Sequence, residues 1–148
     1  MNIYKVKKHC KILLIEDNPG DARLVREALK DLHVSHELQV APDGIQAMED
    51  LRRINKNRTE IRPDIILLDL NLPKKSGLEI LSEIKSDEVL KRIPVIILTA
   101  SQNQDDIREA YNRHANCYII KPLGLKEFFE IISSLEKLWL NIASLPES

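Results

Sequence analysis

Only two cysteines occur in this 148-residue chain, Cys10 and Cys117, and they are too far apart for any C-x-x-C or Cys/His metal spacing. A disulfide framework or zinc site finds no support, and the expectation is reduced, structural thiols in a cytoplasmic protein. Glycine is also scarce. The four glycines are scattered, none within G-x-x-x-x-G-K-[ST], so no loop is built to cradle nucleotide phosphates. No apolar run reaches transmembrane length, and the N-terminus lacks the apolar core of a signal peptide. Neither sign of charge predominates: 22 Lys and Arg against 23 Asp and Glu leave a net charge of -1. That balance argues against a nucleic-acid backbone or anionic membrane as the main partner. The early cluster Lys5, Lys7, Lys8 and His9 reads as a solvated arm, because no aromatic beyond Tyr4 is interleaved with it.

What is present is an alternation of short apolar runs with segments of helical period, the pattern of a parallel α/β sheet. The length suits one domain over 1–148, with an arm at 1–10, a core with an extended last helix at 11–143 and a tail at 144–148. Ile12–Ile15, Ile65–Leu68 and Val95–Leu98 are apolar throughout and need helices on both faces. His36–Ala41 alternates like an edge strand, and Cys117–Ile120 is a short fifth strand. Helical stripes follow Pro19 (Ala22, Val25, Ala28, Leu29, Leu32) and Gly44 (Ile45, Met48, Leu51, Ile54). Ser76 caps a third helix (Leu78, Leu81, Ile84), and a weakly apolar fourth spans Gln104–His114. Asn55–Arg62 reads as a loop. The last helix starts near Leu125, and its arc from Phe128 to Ile142 is too wide for a single core contact.

Charged residues stand where the strands end: Glu16 and Asp17 after the first, Asp69 after the third, Lys121 after the fifth, with Thr99 closing the fourth. Open parallel sheets bind ligands at that edge. In a doubly wound sheet of order 2-1-3-4-5 the first and third strands are neighbours, and the winding reverses between them. Glu16, Asp17 and Asp69 would meet in that crevice, where three carboxylates require protonation or a cation. A hard divalent ion that keeps several waters, Mg²⁺, answers the need.

The ordered set Glu16-Asp17-Asn18, Asp69-Leu70-Asn71-Leu72-Pro73 with Ser76-Gly77, Thr99-Ala100-Ser101 and Lys121-Pro122 resembles the receiver domain of two-component response regulators, over about Lys11 to Leu138. The resemblance implies a flavodoxin-like five-stranded fold with five helices, and Asp69 as phospho-acceptor. Glu16, Asp17, Asp69 and the main-chain carbonyl of Asn71 would hold Mg²⁺. Lys121 and Thr99 would bind the phosphoryl group, with Tyr118 as the aromatic switch. Asn71 and Ser101 would tune dephosphorylation, and the bond before Pro122 would be cis. The protein would be a signalling phospho-acceptor that catalyses its own phosphoryl transfer and slow autodephosphorylation, rather than an enzyme acting on other substrates.

After the last helix only Ser144–Ser148 remain, so no DNA-binding or enzymatic output domain is expected and output should pass through protein contacts. The extended tail resembles stand-alone regulators paired with phytochrome-type histidine kinases. That implies such a kinase as donor and a homodimer through strand 4, strand 5 and the last helix. The rival from another class is a haloacid-dehalogenase-like phosphatase using Asp69 as nucleophile. Those enzymes generally carry an acid two residues later, where this chain has Asn71. A receiver-like binding module that is never phosphorylated is the third reading, disfavoured because the full residue set is present.

Overall fold

The computed structural model describes residues 9–33, 35–57 and 60–138. Five parallel strands, β1 (His9–Ile15), β2 (Ser35–Ala41), β3 (Ile65–Leu68), β4 (Val95–Thr99) and β5 (Cys117–Ile120), form one sheet in the order β2-β1-β3-β4-β5. Five helices connect and flank them: α1 (Pro19–Leu29), α2 (Gly44–Lys56), α3 (Gly77–Ser86), α4 (Gln104–Asn112) and α5 (Leu125–Leu135). A 3₁₀ turn at Leu90–Arg92 leads into β4.

The continuous apolar strands are explained by two cores, one on each face. Leu13 and Ile15 of β1 face Met48, Leu51, Ile80, Leu81, Ile84 and Ala110 from α2, α3 and α4. Ile12 and Leu14, their neighbours in the pleat, join Val25, Ala28, Leu29, Phe128 and Ile132 from α1 and α5. Each such buried Leu or Ile contributes about 1.5–3 kcal/mol relative to exposure. Helix starts are fixed by side-chain caps: Asn18 accepts from the Asp21 N–H at 3.0 Å ahead of Pro19, and Asp43 accepts from the Gln46 N–H at 2.8 Å. Ser76 caps α3 as expected, through the Glu79 N–H at 3.3 Å.

Several element bounds differ from the sequence expectation. β1 takes in His9 and Cys10, which pair with Ser35 and His36, so the arm does not extend to residue 10. α2 runs to Lys56, into the expected loop. α1 stops at Leu29 rather than reaching Leu32, and α4 stops at Asn112, because His114 turns into the left-handed region (φ 71°). The Lys121–Pro122 bond was expected to be cis, but among the described residues no peptide bond is cis. Trans is the intrinsically favoured isomer, by about 0.5–1 kcal/mol, and Lys121 reaches its partners without the change. The basic arm at 1–8, and Trp139, Ile142 and the tail, lie outside the described residues.

Candidate functional site

The sheet's hydrogen bonding runs one residue beyond β1, β3 and β5 and places the charged residues. Main-chain bonds join Glu16 N–H to Ala41 O (3.0 Å), Asp69 N–H to Ile15 O (3.0 Å) and Lys121 N–H to Thr99 O (2.8 Å). Glu16, Asp69 and Lys121 are thus held by backbone, and their side chains converge at the carboxyl edge between β1 and β3.

Lys121 is the centre of the cluster. Its Nζ donates to Glu16 Oε1, to Asp69 Oδ2 at 2.9 Å and to Asp21 Oδ2 at 2.8 Å. The lysine and its partners Glu16 and Asp69 are each more than nine-tenths shielded from solvent, whereas the Asp21 side chain is one-third exposed. Burial alone would lower the lysine's pKa, but its hydrogen bonds to Asp21, Glu16 and Asp69 outweigh it and hold the ammonium charged. Burial pushes Glu16 up to about 7; Lys121 opposes this and Asp69 adds to it. Burial also works to raise Asp69, yet Glu16, Lys121, Thr99 and the Asn71 N–H together hold it below the usual carboxylate range. Of the pair, Glu16 is therefore the more readily protonated and Asp69 the more readily ionised.

A cation fits this donor set. One carboxylate oxygen from each of Glu16, Asp17 and Asp69 lies within 4.8 Å of the others, with Asp17 exposed and the other two buried. Three hard oxygen donors with an open side suit Mg²⁺, which keeps part of its water shell. Asn71 stands beside them, its N–H donating to Asp69 Oδ1 at 3.2 Å.

Thr99 is fully buried at the end of β4, and the Ser101 N–H approaches its Oγ1 at 3.5 Å. Tyr118 packs partly buried against the α2–α3–α4 core and donates its hydroxyl to the Ser101 carbonyl at 2.9 Å. Burial raises its pKa. The Ser101 hydroxyl is engaged with Asp106 Oδ2 at 2.6 Å. Thr99, Ser101 and Tyr118 thus form one connected unit around the β4–α4 loop. Three participants escaped the sequence reading: Asp21, Asp106, and Tyr111, whose hydroxyl accepts from the Tyr118 N–H at 3.1 Å. Asp21 had one available signal, an acid in the first turn of a helix that starts beside Glu16 and Asp17.

The surplus apolar arc of the last helix is partly absorbed by the domain itself. Phe128 and Ile132 are buried, and Phe129 and Leu135 pack on the α1–α5 core, while Leu125 and Leu138 remain about half exposed. Among the described residues no helix is long and apolar enough to cross a membrane.

Residues 12–133 match the model of the response regulator receiver domain. The chain is 47% identical over 135 residues to response regulator Rcp1 of Synechocystis sp., covering 91% of this chain and 92% of that protein. Its fold superposes on the Mn²⁺-bound structure of Rcp1 with a TM-score of 0.84, covering 93% of this chain and 99% of the other. The phosphorylated cyanobacterial phytochrome response regulator RcpA is 51% identical, with a TM-score of 0.87 over 94% of this chain and 99% of its own. A receiver domain of a Pseudomonas aeruginosa sensor histidine kinase, with magnesium coordinated in its active-site cleft, is 32% identical (TM-score 0.69, covering 89% and 98%).

Proposed function

This chain belongs to the response regulator receiver family, and from that premise we propose that Asp69 accepts a phosphoryl group from a phosphohistidine of a sensor kinase. The observation that carries this reading is Lys121, whose ammonium joins Glu16 to Asp69 at the carboxyl edge of the sheet. Asp69 is buried, held below the usual carboxylate range and flanked by Glu16 and Asp17. A carboxylate is a weak nucleophile, and phosphoryl transfer depends on positioning and charge neutralisation more than on nucleophile strength.

Glu16, Asp17, Asp69 and the Asn71 carbonyl would hold Mg²⁺, which neutralises charge on the transferring group when bound. An Asp69 oxygen supplies the electron pair of the new O–P bond. The N–P bond of the donor breaks, and the histidine nitrogen keeps that pair and takes up a proton. Lys121 and the Thr99 hydroxyl then donate to the phosphoryl oxygens. Because Ser101 connects Thr99 to the Tyr118 hydroxyl, inward movement of Thr99 is transmitted to β5 and α4. Slow hydrolysis of the acyl phosphate would return the chain to its resting state, with Asn71 and Ser101 placed to control water.

The kinase partner of this reading is phytochrome-type, as RcpA's description as a phytochrome response regulator suggests. The output is a protein contact, with a second copy of the chain meeting the face of β4, β5 and the last helix. Exposed Tyr111, Ile120, Leu125 and Leu138 support that interface.

Intact-mass measurement after incubation with acetyl phosphate tests the assignment. A gain of one phosphoryl group that needs Mg²⁺ and vanishes with chelator is expected. Steady turnover of generic phosphate esters without a trapped adduct would favour the phosphatase reading instead.

A further inference from the structure

Lys121 has three N–H donors and three carboxylate acceptors, yet only two of those acceptors belong to the acids that converge on the cation position. Glu16 and Asp69 do. Asp21 does not: it lies outside the group formed with Asp17. Its place is set independently of the lysine, since its own N–H is held by the Asn18 side chain at 3.0 Å in the first turn of α1, where the helix dipole favours an anion.

We propose that Asp21 is a positioning residue that retains the Lys121 ammonium at the rim of the site, so that Glu16 and Asp69 can be released to a divalent cation. The proposal rests on the assignment of Glu16, Asp17 and Asp69 as the cation-binding acids. The physical reason is competition. In the resting state Lys121 donates to the same two buried acids that a cation needs, so cation binding must weaken those contacts. An ammonium expelled from the cluster without a partner would be a poorly solvated charge. Asp21 gives it an anion one-third open to water, 2.8 Å from where Nζ already stands. The change is then a redistribution among hydrogen bonds, with no large side-chain movement. With Asp21 neutralised, Lys121 would bind Glu16 and Asp69 more tightly and resist the cation.

A double-mutant cycle read by Mg²⁺ titration of backbone amide resonances tests this. Asp21→Asn should weaken Mg²⁺ binding roughly fivefold, the size expected of a partly exposed ion pair. In a Lys121→Met background, the same substitution should change affinity by less than about twofold. Asp21→Glu should restore affinity toward wild type, which a merely structural role for position 21 would not do. Unchanged affinity in Asp21→Asn, or equal weakening with and without Lys121, would overturn the proposal. Failure of the underlying cation assignment is separately visible, because Asp17→Asn would then bind Mg²⁺ as well as wild type.

Discussion

A side chain at Gly77 would place its Cβ 2.3 Å from the main-chain oxygen of Asp69 and 2.5 Å from the Cα of Leu70. The first turn of α3 therefore packs directly on the backbone that carries Asp69, and the Gly77 N–H donates to Leu70 O at 3.0 Å. Gly77→Ala should cost about 2 kcal/mol of stability, the scale of overpacking in a tight core. Because the obstructing atoms are backbone, Asp69 must shift with them. Chemical denaturation together with the rate of labelling by acetyl phosphate checks this, and both are expected to fall.

Cation binding should be pH-dependent, with Glu16 as the cause. Its folded value of about 7 lies above the ordinary 4.5, so the stability it contributes is fully present below about 4.5 and is lost as pH rises through 7. A cation must displace that proton. Mg²⁺ affinity should rise by up to about tenfold per pH unit below 7 and level off above it. The rise in thermal midpoint on adding Mg²⁺ should accordingly be larger at pH 8 than at pH 5.5. Asp69, held below its ordinary value, acts in a separate window, losing its contribution only as pH falls below about 3.8. An affinity that stays flat between pH 5.5 and 8 would contradict the protonated state of Glu16.

Thr99→Ala separates chemistry from signalling. Asp69, Glu16, Asp17 and Lys121 are all retained, so phosphoryl uptake should stay near the wild-type extent. The hydroxyl that links the phosphoryl group to the Ser101–Tyr118 unit is gone, and the conformational response should largely disappear. Amide exchange across residues 102–118, compared before and after acetyl phosphate treatment, reads the difference. A full wild-type response would remove Thr99 from the switch.

A homodimer through β4, β5 and the last helix predicts that a charge at Leu138 lowers self-association. Leu138 is half exposed, whereas Phe128 and Ile132 serve the domain's own core and would report unfolding instead. Sedimentation at micromolar concentration with Leu138→Asp should show a shift toward monomer. An unchanged dimer would place the contact elsewhere.

Much of the fold and of the site was legible before any coordinates, and the reasons are local. Ile12–Ile15, Ile65–Leu68 and Val95–Leu98 are apolar on every residue because both sheet faces are covered, and each is followed by a residue of the candidate site. That made Glu16, Asp17, Asp69 and Thr99 readable from chain order alone. Asp21 was not readable, because its contact with Lys121 joins residues 100 positions apart through the angle at which α1 leaves β1. The Tyr111–Tyr118 bond depends likewise on how α4 lies across β5. Part of the arc of the last helix packs on its own domain, through Phe129 and Leu135 on the core that α1 and α5 share, while Leu125 and Leu138 stay about half exposed. The isomer before Pro122 came from family resemblance and had no local signal at all.

Locating the phosphoryl group tests the central claim most directly. The chain is incubated with acetyl phosphate and Mg²⁺, the acyl phosphate is trapped by borohydride reduction, and peptides are sequenced by mass spectrometry. Modification of Asp69 alone, absent in Asp69→Asn, is the predicted result. Stoichiometric labelling of another residue, or labelling that survives Asp69→Asn, would contradict it.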